Sequence, residues 1–324
     1  MGTVERAILA LILLAMFVWP RDSQGVDTIR IAYPSTSFTT VPILAASKFG
    51  LYQQEGLRAE LIFMRPNISV TAVVTGQVEF ATVHGSIVRA AALGMPVKSL
   101  MVVADRPAYY LVVKSGVTNV AALRGRSVGI ASLGGSVHLM TKDFFSQNNL
   151  DPDKQVSLVV TGDHNTSIQA MHNGLVDAAV ISLPWQTVAE KAGLQKLAYF
   201  GDTMRLPMAG LGTSDDHIAK KPELLRRAVR ATLRGIDFLR DPKNRQETVG
   251  IMAEWFKIRP EQAQESYRQM IEAYPVNGLV SEDALEKDLD MARQTGAIKG
   301  RVALSRVVDF HFVREARQEI SAKK

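Results

Sequence analysis

The stretch Gly76-Gln77-Val78-Glu79-Phe80-Ala81-Thr82-Val83 recurs later in the chain as Gly174-Leu175-Val176-Asp177-Ala178-Ala179-Val180-Ile181. A repeat this far apart marks a duplicated supersecondary unit and therefore two similar lobes. The match extends upstream: Ile29-Arg30-Ile31-Ala32 is paralleled by Val128-Gly129-Ile130-Ala131, and Leu61-Ile62-Phe63 by Leu158-Val159-Val160. Each copy reads as strand, helix, strand, helix, strand, helix, so the predicted fold class is α/β. Two such lobes side by side bring the loops at their strand ends across one crevice, which is where open α/β sheets bind ligands.

Composition allows this. The chain has 324 residues, 47% of them hydrophobic and 22% charged, which is ordinary globular material with enough length for two cores. It has no cysteine, which removes disulfides, thiolate metal sites, thiol nucleophiles and a cysteine-linked lipid anchor together. The formal charge of +6 is concentrated in one amphipathic helix, where Arg226, Arg230 and Arg234 lie opposite Leu225, Val229, Thr232 and Ile236. Such a stripe reads as a solvated face rather than a nucleic-acid footprint. Near the N-terminus, Ala7 to Trp19 is an unbroken apolar run, preceded by Arg6 and followed by Pro20 and Ser23-Gln24-Gly25. A membrane span needs about 20 apolar residues, so this run fits a secretory signal better than an anchor.

Along the chain, residues 1–25 read as the signal peptide, 26–112 as the first part of lobe 1, 113–204 as lobe 2, and 205–324 as a mostly helical return to lobe 1. The alternating segment Tyr109 to Lys114 is expected to carry the chain into the second lobe, and Leu206-Pro207-Met208 to carry it back. From Pro222 onward only helices are expected, with Ser281 as an N-cap ahead of Glu282 and Asp283.

The candidate binding residues lie at the expected strand ends. Ser132, Gly134, Gly135 and Ser136 join a strand to a helix, where glycines admit close backbone approach and helix N–H groups favour an anion. A tight turn capped by Ser136 accounts for the same residues. His84, Gly85 and Ser86 occupy the matching corner of the first lobe; a lone histidine is more often structural, but its place at this corner makes a ligand contact an equal reading. Ser35, Thr36, Ser37 and Thr40 belong to a hydroxyl-rich loop after the first strand, a composition that turn propensity also favours. Trp185 follows Pro184 at a strand end, able either to stack on a planar ligand or to seal the core. Asn165, beside Thr166, is a helix cap or a cleft contact. Convergence of His84, His138 and His164 on a metal is disfavoured, and no cofactor is expected.

In its order of motifs the chain resembles the substrate-binding proteins of ABC importers in the NMT1/THI5-like group, which includes sulfonate, taurine, nitrate and pyrimidine-precursor binders. The resemblance rests on Pro42 to Leu57, on Val120 to Ile130, and on the Gly174 to Trp185 segment with its acid and Pro-Trp ending. It implies a two-lobed type II periplasmic-binding-protein fold with a two-strand hinge and a helical C-terminal extension on lobe 1. It further implies a periplasmic monomer that takes a small-molecule ligand to an ABC permease and its ATPase. The expected ligand is a small organic anion, sulfonate-like or carboxylate-like, with a pyrimidine-like ring stacked on Trp185 as the alternative. Enzymes on this fold, a desulfinase with a cysteine nucleophile and a pyrimidine synthase with a cysteine-rich motif, depend on residues this chain lacks. No Gly-x-Ser-x-Gly elbow, His-Glu-x-x-His pair or Walker loop is present either. A soluble biosynthetic enzyme or sensor on the same fold is the reading from a different class.

Overall fold

Both glycines of the repeat adopt a left-handed backbone, φ 71° at Gly76 and 78° at Gly174, which stops the preceding helix and turns the chain into a strand. The acid that follows folds back onto its lobe's first strand. Glu79 Oε2 accepts from the Arg30 N–H at 2.8 Å, and Asp177 Oδ2 accepts from the Ser127 N–H at 3.0 Å. Each carboxylate also meets an arginine, Arg30 at 3.0 Å and Arg126 at 3.1 Å. The duplicated motif is thus a structural clasp, used once per lobe.

The computed structural model describes residues 25–322. The expected signal peptide lies outside the described residues except at its last position, and no helix among the described residues is long and apolar enough to cross a membrane. The first sheet contains β1 (Asp27–Tyr33), β2 (Leu57–Phe63), β3 (Phe80–Ala81) and β4 (Val97–Ala104). The second contains β5 (Tyr109–Val113), β6 (Arg126–Ile130), β7 (Val156–Val160), β8 (Ala178–Ser182) and β9 (Gln195–Tyr199). The chain then returns to the first sheet as β10 (Ala209–Ser214). The strand orders, β2-β1-β3-β10-β4 and β7-β6-β8-β5-β9, follow the same plan. In each, three parallel strands come from the repeat and the fourth, antiparallel strand arrives from the other lobe.

That exchange makes the hinge. The chain leaves the first sheet after Ala104 and enters the second at Tyr109, so Tyr109–Val113, expected to bridge the lobes, lies wholly inside the second sheet between β8 and β9. Its run of consecutive apolar residues, every one buried, is that of a central strand covered on both faces. The bridging segment is Asp105 to Ala108, and it is bonded to the returning one: Leu206 N–H donates to the Asp105 carbonyl at 3.1 Å and Met208 N–H to the Ala104 carbonyl at 2.8 Å.

Helices cover the sheets in chain order: α1 (Val41–Lys48), α2 (Pro66–Val74), α3 (His84–Ala92), α4 (Ser136–Gln147), α5 (His164–His172), α6 (Gln186–Lys191), α7 (Phe200–Thr203) and α8 (Asp215–Lys220). The helical tail follows as α9 (Pro222–Arg240), α10 (Arg245–Phe256), α11 (Pro260–Glu272), α12 (Glu282–Gln294), α13 (Leu304–Val307) and α14 (His311–Ala322). Ser281 caps α12, accepting from the Ala284 N–H at 3.3 Å. Along α9, Leu225, Val229, Leu233, Ile236 and Leu239 are buried at helical spacing and pack on α1, α14 and β4.

The opposite face of α9 is not the solvated stripe expected. Arg230 binds Glu55 and Glu319, Arg226 reaches Glu315 at 3.2 Å, and Arg234 lies 3.7 Å from Glu55. Like-signed spacing along one helix reveals the stripe; the acids that neutralise it come from distant segments. The tail also reaches the second lobe through α11. Gln186 Nε2 donates to Ser266 Oγ at 2.9 Å, and Gln269 bonds the Tyr110 hydroxyl at 2.8 Å.

Candidate functional site

At the first-lobe corner the chain passes from β3 into α3 with almost no loop. His84, Gly85 and Ser86 therefore form the first turn of a helix that begins three residues earlier than Ile87, the start the sequence suggests. His84 is fully buried, its Nδ1 2.8 Å from Ser99 Oγ. The Ser99 hydroxyl also lies 3.3 Å from the Met101 carbonyl; in the tautomer where it donates there, Nδ1 carries the proton and Nε2 is an acceptor. Gly210 makes room for this arrangement: a Cβ there would stand 2.1 Å from the Met101 carbonyl oxygen and 3.1 Å from His84 Nδ1. Burial, with Arg89 nearby, lowers the His84 pKa to about 3, so the ring is neutral. Among the described residues His84 Nε2 and Thr82 Oγ1 are buried without a hydrogen-bond partner.

The second lobe has the same device. His164 Nε2 lies 2.8 Å from Ser182 Oγ, which donates to the Leu183 carbonyl at 3.2 Å, and burial lowers this histidine's pKa to about 4. Asp163 caps α5 by accepting from the Thr166 N–H at 2.8 Å, a role the sequence assigns to Asn165 or Thr166. Asn165 itself is exposed on the first turn, and the neighbouring His164 is the residue turned inward.

The Ser132–Ser136 corner differs from expectation in detail. Gly135 is the N-cap of α4 and Ser136 its first residue, so Ser136 does not cap the helix. Gly134 has φ 73° and donates its N–H to His138 Nδ1 at 3.1 Å, which removes one donor from an anion cradle. A Cβ on Gly135 would meet nothing nearer than Ser132 Oγ at 3.5 Å, whereas one on Gly85 would stand 2.2 Å from Ser136 Oγ. Of these two glycines, Gly85 is the one where a Cβ would force a neighbouring side chain to move, at a point where the two lobes touch.

In the loop after β1 the hydroxyls bond one another. Ser35 Oγ donates to Ser37 Oγ at 3.0 Å, Ser37 shares a hydrogen bond with Thr39 at 2.8 Å, and Thr40 Oγ1 donates to the Ser35 carbonyl at 3.1 Å. Ser37 and Thr40 are buried and inward-satisfied, while Ser35 and Thr36 are half-buried. The Thr36 carbonyl accepts from Trp185 Nε1 at 3.0 Å, a second bridge between the lobes.

Between these bridges runs a wall of rings. Phe38 meets Tyr109 edge-on at 5.5 Å, Tyr109 lies 6.5 Å from His164, His164 lies 6.3 Å from Trp185 at an interplanar angle of 33°, and Trp185 meets Phe256 edge-on at 6.3 Å. Of these, Trp185 is singled out by the sequence reading. Tyr109 and Phe256 are hidden in a strand and a tail helix, where apolar periodicity reads only as core. A separate cavity of about 450 Å³ lies on the outer side of α4, against the end of α12; its Lys142 and Asp153 are already paired at 2.7 Å. Chemically, these rings and the two neutral histidines are packed at the seam between the lobes, with Trp185 partly exposed and with His84 Nε2 and Thr82 Oγ1 buried without hydrogen-bond partners.

The chain and its fold have known counterparts. The chain is 28% identical over 227 residues to the riboflavin-binding protein RibY of Chloroflexus aurantiacus, a match spanning 66% of this chain and 63% of that protein. The periplasmic nitrate-binding protein NrtA from Synechocystis has the same fold, with a TM-score of 0.78 at 14% identity, over 92% of this chain and 90% of that one. The alkanesulfonate-binding protein SsuA from Xanthomonas axonopodis, bound to MOPS, superposes with a TM-score of 0.73 at 17% identity, over 89% and 100% of the two chains. The family profile described as NMT1/THI5 like matches residues 37–245, from the loop after β1 through both cleft corners and all of α9, and the chain belongs to that family.

Proposed function

We propose that this protein is the exported solute-binding component of an ABC importer, and that its ligand is a planar, uncharged nitrogen heterocycle held between the lobes. The observation that carries this reading is the aromatic wall of Tyr109, His164, Trp185 and Phe256, flanked by two histidines that burial keeps neutral. Rings of this kind stack on flat heterocycles. A neutral imidazole presenting an acceptor calls for a ligand N–H, and the buried Thr82 hydroxyl, also without a partner, suits a ligand carbonyl or N–H. The relative RibY, described as binding riboflavin, supports a ligand of flavin-like chemistry. The Ala7–Trp19 run then directs export, and the loaded monomer delivers its ligand to a membrane permease.

A small organic anion is the second reading. It is favoured by α4, which starts at Gly135 without a capping side chain and so keeps first-turn N–H groups for a sulfonate or carboxylate. Against it, the buried guanidinium at this seam, Arg89, already faces the carboxylate of Asp288 at 3.9 Å. Titrating the protein with riboflavin and with taurine while following tryptophan fluorescence separates the two. Riboflavin should quench the signal saturably, and Trp185→Leu should weaken its binding at least tenfold, about 1.4 kcal/mol. Saturable taurine binding with none for riboflavin would favour the anion reading.

A further inference from the structure

The least satisfied polar groups in the described structure lie together at the seam between the lobes. Arg89, on α3, and Asp288, on α12, are almost completely buried, with side chains 8% and 2% exposed. They lie 3.9 Å apart, an ion pair too wide for a hydrogen bond, and Arg89 Nη1 and both carboxylate oxygens of Asp288 have no hydrogen-bond partner among the described residues. The guanidinium is anchored weakly by Ser86 Oγ at 3.4 Å. It leans back over Gly85: a Cβ on that glycine would stand 2.9 Å from Arg89 Nη1 and 2.2 Å from Ser136 Oγ. Arg89, Asp288 and the second lobe's Ser136 therefore gather around one point at the seam between the lobes. Burial works against both charges, lowering the pKa of Arg89 and raising that of Asp288.

The chemistry of the pair restricts what fits it. An anionic substituent would be drawn to Arg89 and repelled by Asp288, and a cationic one the reverse. A hydroxyl suits both, because it accepts from a guanidinium N–H and donates to a carboxylate oxygen at once. We infer that Arg89 and Asp288, with Ser136 across the seam, form a hydroxyl-binding subsite for a polyhydroxylated substituent on the ligand's ring. This rests on the heterocycle reading and extends it from the ring to its side chain.

Riboflavin, which carries a polyhydroxylated chain, and lumiflavin, the same ring bearing a methyl group there, are the probes. Binding to each is followed by quenching of flavin fluorescence, for the parent protein, for Arg89→Met combined with Asp288→Leu, and for the isosteric Asp288→Asn. Apolar replacement of a whole buried ion pair is commonly tolerated by the fold, and Asp288→Asn provides a test should the double variant not fold. Two charge-assisted hydrogen bonds give riboflavin about a 100-fold advantage over lumiflavin in the parent. The double variant should bring that ratio close to one by weakening riboflavin alone, and Asp288→Asn should cut it about tenfold. Equal binding of the two flavins by the parent, or variants that weaken both by the same factor, overturns the subsite and leaves the ring reading standing. If neither flavin binds, both fall.

Discussion

At Gly85 a single added atom would crowd one of the contacts between the lobes. The missing Cβ leaves the space that Ser136 Oγ occupies, so Gly85→Ala should hold the lobes apart and weaken ligand binding at least tenfold, about 1.4 kcal/mol, by calorimetry. Gly135→Ala, with only a 3.5 Å contact to accommodate, should bind as the parent does. Adding Ser136→Ala to Gly85→Ala should recover part of the loss, since it removes the nearer of the two obstructing groups. The buried histidines set the pH response. The folded pKa values, about 3 for His84 and about 4 for His164, lie below the unfolded value of about 6.5, so the unfolded chain binds the extra protons as pH falls. Their contribution is intact above about pH 6.5 and is lost progressively down to those folded values, roughly 2 kcal/mol each by pH 5. Urea melts at pH 8 and pH 5 should show the loss, and His84→Gln should make the difference between the two pH values smaller. At this scale the sequence is only partly legible: His84, Gly85, Ser136 and Trp185 are marked by their place at strand ends. Arg89 and Asp288 are not, because nothing local in α3 or α12 tells that their side chains meet. Ser37 and Thr40 mislead for the opposite reason, since hydroxyls that serve a turn look the same in sequence as hydroxyls that serve a ligand.

At the level of elements, the repeat does more than announce two lobes. Glu79 and Asp177 each clasp the first strand of their lobe through a backbone N–H, so removing either leaves a donor unpaired. Glu79→Ala should cost about 1–3 kcal/mol in chemical denaturation. Asp177→Ala should cost less, because Asp177 is half-buried and water can replace part of its bond, whereas Glu79 is only 4% exposed. Equal losses would mean that solvent access does not govern the clasp. The strands were legible because their apolar runs and bounding glycines are local signals. The hinge was legible only in outline: Tyr109–Val113 reads as an apolar strand, and its place between β8 and β9 depends on partners far away in the chain. The tail helices were legible as helices through their 3.6-residue period, while the bonding of α11 to the second lobe depends on Gln269 and Ser266, polar residues with no periodic signature.

As a whole, the molecule is two copies of one unit that exchange a strand, meet at Gly85–Ser136 and Trp185–Thr36, and enclose rings and neutral imidazoles between those two contacts. The exchange of strands ties the lobes to each other, and the crossings at Asp105 and Leu206 run side by side and are bonded to one another. The repeat makes this architecture readable from sequence, but ligand chemistry depends on which side chains converge across the crevice, and that convergence exists only after folding. The most direct measurement is native mass spectrometry of the protein purified from its own host without refolding, combined with the absorption spectrum of whatever small molecule it releases. One equivalent of a compound with the near-ultraviolet or visible absorption of a conjugated nitrogen heterocycle should be released, and it should be absent from the Trp185→Leu variant. A non-absorbing sulfonate or carboxylate bound at the same stoichiometry would contradict the heterocycle reading.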